Sequence, residues 1–580
     1  MNQVLIDHLK PYWKVIIGVV ILVFGQVMAN LYLPNLNASL VNNGVLTANT
    51  GYIFKIGMYM LGVAFLMGIA SISSVYLASR VAMGMGRDVR GALFRRVESF
   101  SQNEINQFGT ASLVTRNTND VQQIQMLVAM GLTIMLSAPL MIVGGIIMAL
   151  REDVPLTVSL AVIIPVMAIV MGLLVSRALP LFRTMQTRLD KINLLMRESL
   201  SGVRVIRAFA RHKHEEARFD EANVQLSNTT LRVYRLFAVM QPSMMAIMNF
   251  STVAIMYFGG RRVASGGMEI GNLLAFLTYV MQILMSVLMA TMMSVMIPRA
   301  SASGERVRQV LNTEPTIHDP VTSLPPVDLD GAGRGRLEFK DVEFRYPGAQ
   351  DPVLSNISFT AEPGQTTAIV GSTGSGKTTL ISLIPRFYDV TGGSIEIDGR
   401  DIRDIDRDEL WRHIGFVPQK AFLFSGTVAS NLHYGDESAD ADAMWHALSI
   451  AQAKDFVEEM AEGLESEITQ GGTNVSGGQR QRLAIARALV KQPDVYVFDD
   501  SFSALDFKTD SLLRAALKRE VAGANVLIVG QRVSSVMHAD QIIVLDEGTM
   551  CGLGTHKELL ETCETYREIV YSQLSAEEAA

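Results

Sequence analysis

The sequence contains few cysteines and few charged residues. Cys551 and Cys563 are the only cysteines among 580 residues, which excludes a disulfide scaffold and predicts two reduced thiols. Charged residues make up 18% of the chain, below the quarter that is usual for soluble domains, and this excludes an intrinsically disordered protein or a coiled coil. Because 49% of the residues are hydrophobic, we expect a large apolar or membrane-embedded part.

Acidic residues are missing from six long apolar stretches in the first half of the chain. Each stretch has about 20 residues or more, enough for a helix to cross a hydrocarbon core of about 30 Å. Arg235 is the only arginine within them and stands near an end, where its side chain can extend to the membrane surface. The sequence therefore predicts six membrane helices, at Val15–Leu33, Ile53–Ala78, Met126–Leu150, Val154–Val175, Val233–Phe258 and Leu273–Ile297.

The distribution of basic residues predicts the orientation of these helices. The segment Pro34–Asn49 has no lysine or arginine, whereas six arginines lie between Arg80 and Arg116 and eleven basic residues between Arg177 and Arg232. Loops rich in lysine and arginine remain on the cytoplasmic side of a membrane. We therefore expect the segments after the second and fourth helices, both termini and the C-terminal part of the chain to be cytoplasmic.

The charge changes sign where a linker is predicted. Residues 1–320 hold 27 basic and 17 acidic residues, a net charge of +10, and the remainder holds 23 and 40, a net charge of −17. Prolines 315, 320, 325 and 326 lie at this boundary and are typical of a linker. The predicted organisation is a membrane domain over 1–312, a linker over 313–334 and a second domain over 335–580.

The second domain carries the pattern G-x4-G-K-[ST], between an apolar strand at Ala368–Val370 and a helical run at Leu380–Ile384. In this setting glycines allow backbone N–H groups to approach phosphates, the lysine reaches the β- and γ-phosphates, and the hydroxyl that follows binds Mg²⁺. The pattern predicts a nucleotide site formed by Gly371, Ser372, Thr373, Gly374, Ser375, Gly376, Lys377 and Thr378, with Thr379 next to it.

Two further patterns belong with a phosphate site. The apolar run Val495–Asp499 ends in a carboxylate, which in such a position binds the Mg²⁺ of a bound nucleotide. The residues Ser476, Gly477, Gly478 and Gln479 precede a helix and form a second candidate anion site. Two anion sites on different elements of one chain indicate a nucleotide shared between two chains.

The order of these motifs resembles that of ATP-binding cassettes, and the whole chain resembles a half-transporter of the ABC exporter family. The motifs are Tyr346, the loop at 371–378, Gln419, the 475–479 signature, the 495–499 strand and Ser503–Asp506. The resemblance implies six membrane helices followed by one α/β P-loop cassette, with two ATP molecules and Mg²⁺ held between the cassettes of two chains. It also implies that Tyr346 stacks on adenine, that Gln419 contacts Mg²⁺ and the γ-phosphate, and that Asp506 is one of the ATP-binding residues. The turns near Gly109–Thr118 and Phe209–Glu215 resemble the coupling helices that contact the cassettes.

Two residues depart from the family pattern. Asp500 stands where the family has a glutamate that activates water, so its carboxylate lies roughly 1.5 Å short. Gln531 stands where the family has a histidine near the γ-phosphate, and an amide cannot carry the charge of an imidazolium. We therefore expect a site that binds ATP and hydrolyses it slowly.

An intact signature beside a degenerate site predicts one half of a heterodimeric exporter. The partner is expected to be a second half-transporter that supplies the glutamate and the histidine, as in bacterial heterodimeric multidrug exporters. A homodimeric exporter or lipid flippase, and an ATP-gated regulatory or channel-like protein, remain alternatives. The six spans exclude a soluble cassette acting on nucleic acid, and the expected location is the bacterial plasma membrane.

The spans indicate an amphipathic or hydrophobic substrate, either a drug or a lipid. Many of the 32 methionines lie in the spans, and flexible thioethers suit varied apolar ligands, although ordinary helix packing explains them equally well. With no acidic residue in these spans, a cationic substrate would depend on the aromatic residues Phe237, Phe250, Phe276 and Tyr279 or on the partner chain. Polar residues within the spans either line a cavity or bond between helices.

Overall fold

The computed structural model describes residues 2–320 and 334–574, so most of the predicted linker 313–334 lies outside the described residues. The chain divides into two compact units. The first comprises Met1–Glu98 and Thr110–Thr313, and the second comprises Ser99–Gly109 and Glu314–Ala580. Residues 99–109 therefore belong with the C-terminal unit, although they lie within the predicted membrane domain.

Among the described residues, the first unit is built from six helices that are long and apolar enough to cross a membrane. They extend well beyond the predicted apolar stretches, because charged residues continue each helix past its apolar part. Short π-helical turns interrupt them at Val41–Val45, Arg116–Asp120 and Gly131–Met135. The six helices are Ile6–Val45, Thr50–Glu98, Thr110–Glu152, Val154–Ser201, His212–Ala264 and Ile270–Asn312.

Two short helices occupy the turns between long helices. Gln102–Phe108 begins with a capping box in which Ser101 and Glu104 bond to each other's backbone N–H groups, and it ends at Gly109. The prediction of a turn near Gly109–Thr118 was therefore wrong by several residues, because the cap lies upstream and Thr110 already starts the next helix. The second short helix is Val203–Ala208, followed by a turn at Phe209–Arg211.

The described part of the second unit is an α/β domain with two main sheets and a two-stranded ribbon. The strands are β1 Leu337–Phe344, β2 Leu354–Ala361, β3 Thr366–Gly371, β4 Gly392–Ile397, β5 Arg400–Asp401, β6 Ile414–Val417, β7 Gly426–Thr427, β8 Glu467–Ile468, β9 Val495–Asp499, β10 Asn525–Val529, β11 Gln541–Asp546 and β12 Thr549–Gly554. The helices are Gln102–Phe108, Lys377–Leu383, Arg407–His413, Val428–Leu432, Ala441–Ile450, Lys454–Glu458, Gly477–Val490, Phe507–Glu520, Val533–Val536, His556–Thr562 and Glu564–Tyr571.

The larger sheet has the strand order β12-β11-β3-β10-β9-β6 and is parallel except for β12. Both faces are covered, and alternate residues of a strand enter different hydrophobic clusters. Tyr496 and Phe498 of β9 pack on one face, and Val495 and Val497 pack on the other. The predicted combination of six apolar helices and an α/β domain is confirmed.

The parallel arrangement determines where the site residues lie. The strands β3, β10, β9 and β6 are neighbours and end at the same edge of the sheet. Ligands of open α/β sheets bind outside the carboxyl ends of such strands. The loop at 371–376, Gln531, Asp500 and Gln419 follow these four strands in turn, so residues far apart in sequence share one edge.

Candidate nucleotide site

The loop between β3 and the helix Lys377–Leu383 depends on glycines with left-handed backbone. Gly374 has φ 89° and Gly376 has φ 95°, which side-chain-bearing residues rarely adopt. A Cβ at Gly376 would also lie 2.7 Å from Leu354 Cδ2. The predicted phosphate loop therefore forms with backbone N–H groups that no side chain covers at these two positions.

Lys377 lies over this loop. Its Nζ donates to the carbonyl oxygens of Gly371 at 2.9 Å and Ser372 at 2.6 Å, and Ser375 Oγ is 3.4 Å away. Partial burial lowers the pKa of the Lys377 ammonium, while the Asp500 and Asp499 carboxylates raise it. The cation is thus held beside the loop by weak carbonyl acceptors, which a phosphate can replace.

Oxygen ligands converge on the other side of the loop. The Thr378 hydroxyl donates to Asp499 Oδ1 at 3.2 Å, and Asp499 is buried. Burial raises the pKa of the Asp499 carboxyl; the Thr378 hydroxyl lowers it, and the Asp500 carboxylate raises it further. A hydroxyl and a carboxylate at this separation fit a divalent cation that takes its remaining ligands from phosphate and water.

Asp500 is held in place by its backbone. It has φ 45°, its N–H donates to Val529 O at 3.0 Å, and Ser503 Oγ donates to its carbonyl at 2.8 Å. The Gln419 side chain donates through Nε2 to Asp500 Oδ2 at 3.1 Å. The structure thus brings Gln419 and the shortened carboxylate into direct contact.

Tyr346 lies half-buried behind the phosphate loop. Its hydroxyl and Thr379 Oγ1 are 3.0 Å apart. Its ring meets Tyr388 edge-on, with centroids 5.4 Å apart. Asn106 of the short helix Gln102–Phe108 donates to the Tyr388 hydroxyl at 3.2 Å. The sequence reasoning missed Tyr388 and Asn106, since no local pattern joins positions 282 residues apart.

The signature residues form the largely exposed N-terminus of the helix Gly477–Val490. Ser476 Oγ accepts from Gln479 N at 3.2 Å, and Gln479 Oε1 accepts from Ser476 N at 2.9 Å, so the two residues form a capping box for Gly477–Val490. Gly477 is exposed and Gly478 is half-buried. The side chains of Ser476 and Gln479 bond to each other's backbone N–H groups. Because Ser476 and Gly477 are exposed, this helix N-terminus is accessible from solvent.

Asp506 and Gln531 also lie on separate loops. Asp506 caps the helix Phe507–Glu520 by accepting from Thr509 N at 3.0 Å and Thr509 Oγ1 at 2.7 Å, and these bonds lower the pKa of its carboxyl. Gln531 is exposed, and its backbone carbonyl accepts from Gln573 Nε2 at 2.8 Å. Gln573 is another residue that the sequence reasoning missed. The nucleotide-binding roles of these residues stay predictions.

A cavity of about 430 Å³, with a mainly apolar lining and several polar side chains, lies among the first, third and sixth long helices. Within it, Gln282 Nε2 donates to Asn30 Oδ1 at 3.0 Å. Phe276 and Tyr279 are fully buried, so the expectation that their rings receive a substrate was wrong, because they pack between helices. The cavity is lined by Gln26, Val27, Asn30, Ile134, Ser137, Ala138, Met141, Thr278, Met281, Gln282, Met285, Ser286 and Met289.

Comparison with known proteins identifies both units. Residues 15–287 match the ABC transporter transmembrane region, and residues 354–503 match the ABC transporter family. An uncharacterized ABC transporter ATP-binding protein of Mycobacterium tuberculosis is 47% identical, covering 98% of this chain and 97% of that protein. The ATP-dependent lipid A-core flippase of Chromobacterium violaceum is 30% identical, with coverage of 99% and 97%.

Solved structures show the same fold. A bacterial Atm1-family ABC exporter with ATP bound superposes with a TM-score of 0.80 at 22% sequence identity, covering 97% of this chain and 98% of that chain. Six apolar helices, a parallel sheet with a phosphate loop at its edge and full-length relatives lead to one assignment. The chain belongs to the ABC transporter family and is an ABC exporter with an ATP-binding domain.

Proposed function

We propose that this protein is one half of a heterodimeric, ATP-driven exporter in a bacterial plasma membrane. The six helices span the membrane, and the ATP-binding domain and both termini are cytoplasmic. The second subunit is a different half-transporter, and the substrate is an amphipathic or hydrophobic molecule such as a drug or lipid.

The chain's own site binds ATP with Mg²⁺. Lys377 contacts the β- and γ-phosphates, and Thr378, Asp499 and Gln419 would hold the ion. The support is the contact between the Thr378 hydroxyl and the Asp499 carboxylate, which are hard ligands of the kind that Mg²⁺ prefers, and the bond from Gln419 to the adjacent residue Asp500. When bound, the ion neutralises charge on the phosphates. Tyr346 packs against adenine from the other side of the loop.

Hydrolysis at this site is slow because of the position of the Asp500 carboxylate. Its carboxylate is short by one methylene and is held 3.1 Å from Gln419 Nε2, on a backbone that is fixed on both sides. A catalytic group misplaced by ~1 Å costs on the order of a hundredfold in rate. Gln531 adds a second deficit, because it brings no positive charge toward the γ-phosphate.

The signature favours pairing with a different subunit. Its capping box is complete, and its exposed N-terminus is suited to complete the phosphate site of another chain. In the proposed heterodimer, this chain supplies the signature for the partner's ATP site, and the partner supplies the glutamate and the histidine of that site.

ATP turnover by the purified chain tests the proposal. We expect the chain alone to bind ATP and to turn over far more slowly than one per second, and to become active with the product of the adjacent reading frame, provided that this is the second half-transporter. Turnover by the chain alone at roughly one per second or faster, an ordinary enzymatic rate, contradicts the heterodimer.

A homodimeric lipid flippase is the second candidate, favoured by the 30% identity to a lipid A-core flippase over nearly the whole chain. Reconstitution of the chain alone with a fluorescent lipid distinguishes the two functions. ATP-dependent lipid movement without a second subunit supports the flippase. Persistent ionic conductance that does not require hydrolysis supports an ATP-gated channel-like protein instead.

The mainly apolar cavity among the first, third and sixth helices is the proposed substrate site. Its thioethers suit varied apolar groups. The Gln282 Oε1 atom is buried there without a hydrogen-bond partner, so a donor group on the substrate would satisfy it. Replacing Gln282 with leucine should therefore weaken transport of substrates with N–H or O–H groups more than transport of purely apolar ones.

A further inference from the structure

The loop after β10 is bonded to a residue near the C-terminal end of the described chain. Gln573 Nε2 donates to Gln531 O at 2.8 Å, and Gln573 Oε1 accepts from Val533 N at 2.9 Å. Both halves of one amide thus bond backbone groups two residues apart. An amide side chain supplies both a donor and an acceptor. The two bonds from Gln573 therefore hold the backbone before and after Arg532.

Gln573 completes a set of bonds that fix this loop. Gly530 N donates to Ile369 O of β3 at 3.2 Å, and Arg514 Nη1 donates to Ser534 O at 2.8 Å. These contacts hold the two ends of the segment 530–534. Between them, the backbone carbonyl of Gln531 is anchored by Gln573.

The position of Gln573 is itself well defined. It follows the helix Glu564–Tyr571, in which Tyr566 and Val570 are fully buried. These side chains belong to the same hydrophobic cluster as Val533 and Val536 of the short helix after the loop. The helix Glu564–Tyr571 therefore packs against the short helix Val533–Val536. In addition, Gln573 N donates to Val570 O at 3.0 Å.

We propose that Gln573 is a positioning residue that orients Gln531 toward the γ-phosphate of bound ATP. The inference rests on the proposed function, in which Gln531 contacts that phosphate. The Gln573 side chain is exposed, so water replaces its bonds when it is removed and the fold loses little. The loop backbone then samples more orientations, and the contact that distinguishes ATP from ADP weakens.

The test measures ATP and ADP affinity of the full-length chain in detergent with Mg²⁺. Gln573→Ala should weaken ATP binding about five- to tenfold, less than the roughly tenfold or more that a complete hydrogen bond to a charged group contributes, because the Gln531 contact is weakened and not removed. ADP affinity should stay within about twofold. Gln573→Glu keeps the acceptor for Val533 N but loses the donor for Gln531 O, so its ATP affinity should be intermediate. Ser572→Ala is the matched control, because the Ser572 hydroxyl bonds Ile569 O of its own helix.

Gln531→Ala separates this inference from the proposed function. If Gln573 acts through Gln531, the double variant loses no more ATP affinity than Gln531→Ala alone. An unchanged preference for ATP over ADP in Gln531→Ala overturns the proposed contact of Gln531. A loss in Gln531→Ala with none in Gln573→Ala overturns the role of Gln573, and so does an equal loss of ATP and ADP affinity in Gln573→Ala.

Discussion

Extending the Asp500 side chain by one methylene, in the substitution Asp500→Glu, is expected to accelerate ATP turnover by this chain. The backbone of Asp500 is bonded to Val529 O and to Ser503 Oγ, so it cannot move to compensate. The added methylene therefore advances the carboxylate by roughly 1.5 Å. Because a misplacement of ~1 Å costs on the order of a hundredfold, we expect a gain of up to about a hundredfold, or about 2.7 kcal/mol in the activation barrier.

The assay is steady-state ATP hydrolysis by the purified chain in lipid vesicles. In the proposed arrangement the signature of a second identical chain completes the site, since Ser476 and its capping box are intact. The double variant Asp500→Glu with Gln531→His should exceed the single variant. Asp500→Asn keeps the size of the side chain without its charge and should show no gain.

Two controls make the result interpretable. Lys377→Ala in the Asp500→Glu background should abolish the gained turnover, which shows that the rate comes from this site. The dimer is measured by chemical cross-linking in the same vesicles. If Asp500→Glu binds ATP and dimerises but hydrolyses no faster than the unmodified chain, the argument from the length of the carboxylate is wrong.

Four further predictions follow from single contacts. Tyr346→Ala should weaken ATP binding about tenfold or more through loss of ring stacking, whereas Tyr346→Phe should bind nearly as well; equal losses in an affinity titration would contradict stacking. Ser476→Ala should leave the chain's own ATP affinity unchanged and lower hydrolysis by the proposed heterodimer; a loss of the chain's own ATP binding would contradict a role of the signature at the partner's site. Asn525→Ala should cost about 2 kcal/mol or more and lower the thermal unfolding temperature, because buried Asn525 donates to two backbone carbonyls at 2.9 Å; an unchanged temperature would refute this. Arg306→Gln should destabilise more than Asp120→Asn in the same measurement, because the Asp120 side chain is 3% exposed and that of Arg306 is 48% exposed, so that only the first change leaves a buried charge unpaired.

Local patterns in the sequence were sufficient for the architecture. Apolar stretches of about 20 residues identify membrane helices without any tertiary information, since length and composition alone decide whether a helix can cross a bilayer. The strands that end at Gly371 and Asp499 were also visible, because an apolar run followed by glycines or a carboxylate is contiguous in the chain. The helix boundaries were less predictable: charged residues extend the second helix to Glu98, where the apolar pattern has already ended.

Contacts between segments that are distant in sequence could not be predicted from local patterns. The bond from Asn106 to Tyr388 and the amide of Gln573 join elements that no periodicity relates. The burial of Phe276 and Tyr279 likewise depends on which helix packs on the sixth one.

The family resemblance, the six apolar helices and the departures from the family pattern at Asp500 and Gln531 can be read from the residues alone, because each is a property of residue type at a fixed place in a pattern. The contacts that hold Asp500 and Gln531 depend on the folded chain. Asp500 is fixed by Val529 and Ser503 and bonded by Gln419, and Gln531 is anchored by Gln573. The physical reason is that a parallel sheet brings the ends of β3, β10, β9 and β6 to one edge, where short hydrogen bonds, rather than sequence distance, determine which groups meet.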